Sequence, residues 1–173
     1  DEYLDILAKK NAPLPDGYAP VLAHGLTPTV YTAEAVAAVA RLAAEGRTVP
    51  VHVKVDTGMS RLGTLPGQLP ELLDWFESDA GHHLRLEGLM THFAAADEAN
   101  PAFTREQWSR FAPLANEIGG WEVRPTMHAA NSAAALWYPE TRLDWVRAGL
   151  VTYGVNPGPH PLPIPMLPVA SLR

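Results

Sequence analysis

Lys54, Asp56 and Arg61 fall within one stretch, His52-Val-Lys-Val-Asp-Thr-Gly-Met-Ser-Arg-Leu-Gly63, whose loop is punctuated by Gly58 and Gly63. A lysine and an arginine converging on such a loop suggest an anionic ligand. Three further stretches bring chemistry of their own. Leu89–Ala94 carries Thr91 and His92 and is followed by Asp97 and Glu98; Met127–Ala134 carries His128, Asn131 and Ser132; Val146–Gly154 carries Arg147, Gly149 and Leu150. Asn131 or Ser132 can open a helix, where a hydroxyl and backbone N–H groups suit a phosphate. Each residue alone also fits a structural role: His92 and His128 as hydrogen-bonded core histidines, Ser132 as a helix cap, Arg147 in an ion pair with Asp144 or Glu140. The set is harder to dismiss, because every member falls at the same end of a successive apolar segment.

Those segments alternate between two periodicities. Val51, Val53 and Val55 alternate with His52, Lys54 and Asp56, which predicts a strand over 50–55 with two unlike faces and Lys54 pointing away from the helices. Residues 28–31 read as a short strand, and Thr32 as the cap of a helix over about 33–45 stopped by Gly46. Leu69, Leu72, Leu73 and Phe76 share one face of a helix over about 69–78. A strand at 84–91, the loop 92–101 and a helix over about 104–118 follow. That helix is opened by a Thr104/Gln107 capping box, carries Trp108, Phe111 and Ile118 inward, and is bent at Pro113. Strands near 122–128 and 149–153 continue the alternation, with Tyr153 in a strand position. Repeated βα units without tight hairpins predict a parallel α/β sheet with its polar groups gathered at the strand ends. Residues 157–168 hold six prolines and predict a linker, after which Pro168–Arg173 reads as an opening strand.

Composition narrows the function classes. With 13 Lys+Arg against 19 Asp+Glu and a net charge of −6, no basic stripe offers itself to nucleic acid. The absence of cysteine removes disulfides, thiolate catalysis and thiolate metal sites. No apolar run suggests a membrane span and no signal-peptide pattern opens the chain, so a cytoplasmic location is the expectation. His82-His83 and Asp97-Glu98 lack the spacing of a metal site. A Gly-x-Ser-x-Gly elbow, a phosphate-binding Walker loop and a dinucleotide fingerprint are all missing.

Lys54-Val-Asp-Thr-Gly-Met-Ser-Arg-Leu-Gly63, Gly88-Leu-Met-Thr-His-Phe-Ala94 with Ala96-Asp-Glu98, His128-Ala-Ala-Asn-Ser-Ala133, and Val146-Arg-Ala-Gly-Leu150 with Tyr153-Gly154 resemble the alanine racemases in order and rough spacing. The resemblance runs from about residue 18 to the C-terminus. It implies an eight-stranded (β/α)8 TIM-type barrel binding pyridoxal 5′-phosphate (PLP), a following β domain, and a homodimer that interconverts L- and D-alanine. A barrel of that kind needs about 200 residues or more, so a partial barrel is expected here. Residues 1–158 would be barrel, and 159–173 the linker and first strand of the β domain.

The resemblance also implies roles. Arg61 would contact the cofactor's phenolic oxygen and the substrate carboxylate, steadied by Lys54, a position often carbamylated in the family. Arg147 would face the pyridine nitrogen, supported by His92. Ser132, Gly149 and Leu150 would hold the phosphate, with Asn131 and His128 in support. Neither catalytic base can be placed. The family's cofactor-bearing lysine sits on the first barrel strand, whereas this chain has only Lys9, Lys10 and Lys54, and Lys9-Lys10-Asn11 runs into Pro13 and Pro15. The family's tyrosine base belongs to the C-terminal domain. The expectation is the middle of a racemase, inactive by itself. Two alternatives stay open: a broad-specificity racemase or other enzyme of the same PLP fold type, and a non-catalytic PLP-binding protein.

Overall fold

The computed structural model describes residues 15–43, 47–79 and 81–169. Helix α1 (Pro15–Ala23) precedes strand β1 (Thr29–Val30). Helix α2 (Ala33–Leu42), strand β2 (Val49–Lys54), helix α3 (Leu69–Glu77), strand β3 (Leu84–Met90), helix α4 (Ala102–Gly119), strand β4 (Thr126–His128) and the short helix α5 (Ser132–Trp137) follow. The four strands form one sheet in the order β1-β2-β3-β4, every pair parallel. A bulge between Val51 and His52 shifts the register, so that His52 lies opposite Gly88 rather than Glu87.

Alternation along β2 explains the layering. Val51, Val53 and Val55 are fully buried and join Val36 and Val39 of α2, Leu69 and Leu72 of α3, and Phe111 and Ile118 of α4 in one apolar cluster. All three helices therefore cover the same side of the sheet. The other side carries His52, Lys54, Gly88 and His128. An apolar face under helices and a polar opposite face suit a barrel wall, whereas a doubly wound sheet would be covered on both faces.

Local chemistry sets most boundaries. Thr32 caps α2 by accepting from the Ala35 N–H at 3.1 Å. That helix ends at Leu42, with the Ala43 N–H closing it onto Val39 and Ala40; Gly46, its expected stop, lies outside the described residues. Three expectations need correction. Residues 149–153 form no strand: Leu150–Tyr153 is a 3-10 turn between Gly149 and Gly154, the latter in the left-handed region, and Tyr153 is exposed. Strand β4 begins only at Thr126. Helix α4 begins at Ala102, whose N–H is taken by the Asn100 side chain, so Thr104 and Gln107 lie inside the helix and form no capping box. That helix runs continuously through Pro113, and Trp108 is only partly buried against the core. Residues 158–169 adopt neither helix nor strand. No helix among the described residues is long and apolar enough to cross a membrane.

Candidate active site

The loop after β2 is folded back on itself. Thr64 donates its N–H to the Lys54 carbonyl at 2.9 Å, and Asp56 donates to the Thr64 carbonyl at 2.7 Å. One Asp56 side-chain oxygen accepts from the N–H groups of Gly58 and Ser60 at 2.9 and 3.0 Å, so this carboxylate organises the loop. Gly63 has φ +135°, and a Cβ there would meet the Asp56 backbone nitrogen at 2.6 Å; only glycine closes the loop this tightly. The exposed Arg61 rides on this loop.

Gln107 ties that loop to the one after β3. Its amide donates to the His92 carbonyl at 3.0 Å and to the Thr57 hydroxyl at 3.3 Å, while its carbonyl accepts from the Ala94 N–H at 2.8 Å. The Thr57 hydroxyl sits 2.8 Å from that of Thr91, which itself donates to the Val55 carbonyl. Thr91 spends its only hydrogen there, so Thr57 is the donor to Thr91. Gln107 is fully buried, and the capping reading concealed its role. A visible signal was there: Thr104, Gln107, Phe111, Ala115 and Ile118 lie on one helical stripe, so two polar side chains stand within an apolar face.

Arg147 is the centre of the polar groups. Its Nη2 donates to the carbonyls of Thr91 at 2.8 Å and Ala129 at 3.0 Å and to His92 Nδ1 at 3.1 Å; its Nη1 donates to His128 Nδ1 at 2.7 Å. Its backbone N–H reaches the Ala130 carbonyl at 2.9 Å. The ion pair with Asp144 or Glu140 does not form, because Asp144 pairs with Arg124 at 2.8 Å. Burial draws the Arg147 pKa down only to about 10, so the guanidinium stays charged at neutral pH. Both imidazole Nδ1 atoms must then accept, which fixes His92 and His128 as neutral rings bearing their proton on Nε2. Burial first, and Arg147 second, push both histidines down to about 4. Among the described residues Arg147 Nε–H and one Nη1–H have no acceptor.

Arg147, His92, Asn131, Ser132, Gly149 and Leu150 all line one cavity of about 350 Å³ at the C-terminal end of the sheet. Asn131 caps α5, accepting from the Ala134 N–H at 2.9 Å, which leaves Ser132 free of capping. The Ser132 hydroxyl oxygen instead accepts from the Gly149 N–H at 2.8 Å, and its own hydrogen remains to be donated. The Leu150 N–H has no acceptor among the described residues. His128 lies behind Arg147, and Lys54 lies deeper on β2, only 7% exposed. Burial, then Arg61, and also Arg147 lower the Lys54 pKa against the opposing pull of Asp56. No carboxylate lies within ion-pair distance of Lys54 among the described residues. Arg61 is close enough to Lys54 and His92 to depress both, although it does not line the cavity.

Comparison with known proteins agrees with this geometry. The family model described as the alanine racemase N-terminal domain matches residues 4–157. The chain belongs to that family. It is 39% identical over 162 residues to the alanine racemase of Desulfovibrio desulfuricans, covering 92% of this chain and 43% of that protein. It is 40% identical over 158 residues to that of Chlorobaculum tepidum, covering 88% and 40%. The solved alanine racemase of Clostridium difficile 630 superposes with a TM-score of 0.75 at 30% identity, covering 86% of this chain and 41% of that one. The Streptomyces lavendulae alanine racemase gives 0.74 at 34%, covering 82% and 38%. The chain thus spans about two fifths of the length of the curated relatives it matches. Its parallel sheet is part of the TIM-type barrel of this family's N-terminal domain.

Proposed function

We propose that this chain supplies the cofactor cradle of a PLP-dependent alanine racemase, an isomerase that acts on alanine as a cytoplasmic homodimer. Residues 1–158 are assigned to the barrel and 159–173 to a linker and the start of a β domain. The observation that carries the reading is Arg147, anchored from behind in the wall of a cavity with N–H groups left over. Bound PLP would supply a conjugated ring that withdraws electron density from the substrate Cα. Arg147 would donate a hydrogen bond to the ring nitrogen. A guanidinium holds its proton at any working pH, so it would leave that nitrogen unprotonated and the ring a weaker electron sink, disfavouring side reactions such as transamination. His92 and His128 hold Arg147 in place. The Ser132 hydroxyl, the Gly149 backbone and the Leu150 N–H would receive the phosphate, with Asn131 supporting Ser132. Arg61 would take the phenolic oxygen and the substrate carboxylate.

The donor set fits the group: the unspent Ser132 O–H and Leu150 N–H for a phosphate at one end, with the Gly149 N–H holding the Ser132 oxygen in place, and a permanent cation with unspent donors for a ring nitrogen at the other. Titration of the chain with PLP, followed by absorbance or fluorescence, is expected to saturate. The Ser132→Ala/Arg147→Lys double variant should bind at least about tenfold more weakly, since charged hydrogen bonds contribute about 1.5–3 kcal/mol each. Equal binding by wild type and double variant would remove the cradle.

Lys54 fits a carbamate. An ammonium there would face Arg61 and Arg147 in a buried place, whereas a neutral amine can add CO2, release one proton to solvent, and become an anion between two cations. The chain equilibrated with 13C-bicarbonate is expected to show one carbamate resonance in its 13C spectrum that Lys54→Ala abolishes. A spectrum without that resonance would leave Lys54 an unmodified amine and remove the carbamate.

A further inference from the structure

The hydrogen-bond chain behind Arg147 does not stop at His128. His128 Nε2 lies 2.9 Å from Nδ1 of His52, on the inner face of β2. The two ring centroids are 5.0 Å apart, and the half-exposed Trp145 covers both from 6.2 and 6.1 Å. His52 has a seat made for it. It lies opposite Gly88 on β3, where an ideal Cβ would come within 2.7 Å of three of its ring atoms. No larger residue at position 88 leaves the imidazole in that plane.

Direction follows from the donor that cannot accept. Arg147 only donates, so His128 Nδ1 accepts and His128 carries its proton on Nε2. That proton points at His52 Nδ1, which must be bare, so His52 is neutral with its proton on Nε2. The reverse order would put an N–H of His128 against an N–H of Arg147. The charged groups acting on the pair are Arg147, Glu87 of β3 and Asp144.

We infer that His52 is a positioning residue for Arg147: by accepting from His128 Nε2, it fixes the ring that anchors the guanidinium. Without that acceptor the His128 Nε2–H is buried unpaired, which favours rotation of the ring and loosens the Nη1 contact. The inference rests on the reading of Arg147 as the donor to the cofactor ring nitrogen, and it extends the support to a strand with no residue in the cavity.

The test uses the ligand-free 173-residue chain labelled with 15N-histidine, whose long-range 1H–15N correlations report the tautomer of each ring. At pH 7, His52 and His128 are both expected in the neutral Nε2–H form. His52→Phe should replace the single His128 form by a mixture and weaken PLP binding by about tenfold. His52→Asn, whose amide oxygen takes the place of Nδ1, should restore both. Gly88→Ala should reproduce the His52→Phe spectrum with the imidazole still present. An Nδ1–H on wild-type His52 would overturn the inference. So would an unchanged His128 in His52→Phe, or an Asn variant that behaves like Phe. If the chain binds no PLP, the proposed function fails, whereas the tautomer pattern is decided independently of it.

Discussion

Acidification from pH 7 to pH 4 is expected to cost this chain several kcal/mol of folding free energy. His92 and His128 titrate at about 4 in the folded state, because burial and the Arg147 charge both oppose their protonation. In the unfolded chain both return to about 6.5. Across that window the unfolded state binds more protons, so the stability is complete above pH 6.5 and drains away as the pH falls towards 4. Each ring can contribute up to about 1.4 kcal/mol per pH unit, and His52, also lowered chiefly by burial, acts in the same direction. Urea unfolding at a series of pH values should show a slope approaching two protons. The His92→Asn/His128→Asn double variant should keep only the smaller slope that His52 contributes over the same range. A wild-type slope well under one proton would mean that the two rings are not held neutral against Arg147.

The same residues show which parts of the molecule were legible beforehand. Period-2 alternation from Val51 to Asp56 placed Lys54 and His52 on the face away from the helices, because one covered face demands a strict in–out register. The clustering of His92, Ser132 and Arg147 at one end follows from parallel βα topology, which puts every strand-to-helix loop on the same side. Residues 149–153 misled, since Leu150, Val151 and Tyr153 have strand propensity. What decides that segment is two flanking glycines and a hydrogen bond from Gly149 to Ser132, a residue distant in sequence. Gln107 was misplaced for a related reason: its spacing from Thr104 matches a cap, and only tertiary contacts with His92, Ala94 and Thr57 show its use. The His52–His128 link needed the bulge at Val51/His52, which no periodicity contains. Helix α1, which contains Pro20, carried no clear stripe.

The 173-residue chain by itself is expected to convert no L-alanine to D-alanine beyond what free PLP achieves. Racemisation needs one group to take a proton from one face of Cα and another to return it on the opposite face. No lysine or tyrosine lines the cavity among the described residues, and Asp97 is its single carboxylate, so a pair of bases on opposite faces is not in evidence there. His92 has its only lone-pair nitrogen committed to Arg147 and presents an N–H, so it can donate but not abstract. Arg147 keeps its protons, Asn131 is spent on the cap, and the Ser132 oxygen already accepts from Gly149, which leaves its hydroxyl as a donor. Lys54 has the depressed basicity of a candidate base, but it does not line the cavity and lies between two arginines that suit a carbamate. Lys9 and Lys10 lie outside the described residues. Chiral chromatography of L-alanine incubated with the chain and excess PLP, against PLP alone, decides the matter. Turnover above that background and lost in Lys54→Ala would make Lys54 a working base and overturn its assignment as a support for Arg61. Turnover lost in Lys10→Ala would instead identify the cofactor-bearing lysine near the start of this chain and make the 173 residues an enzyme in their own right.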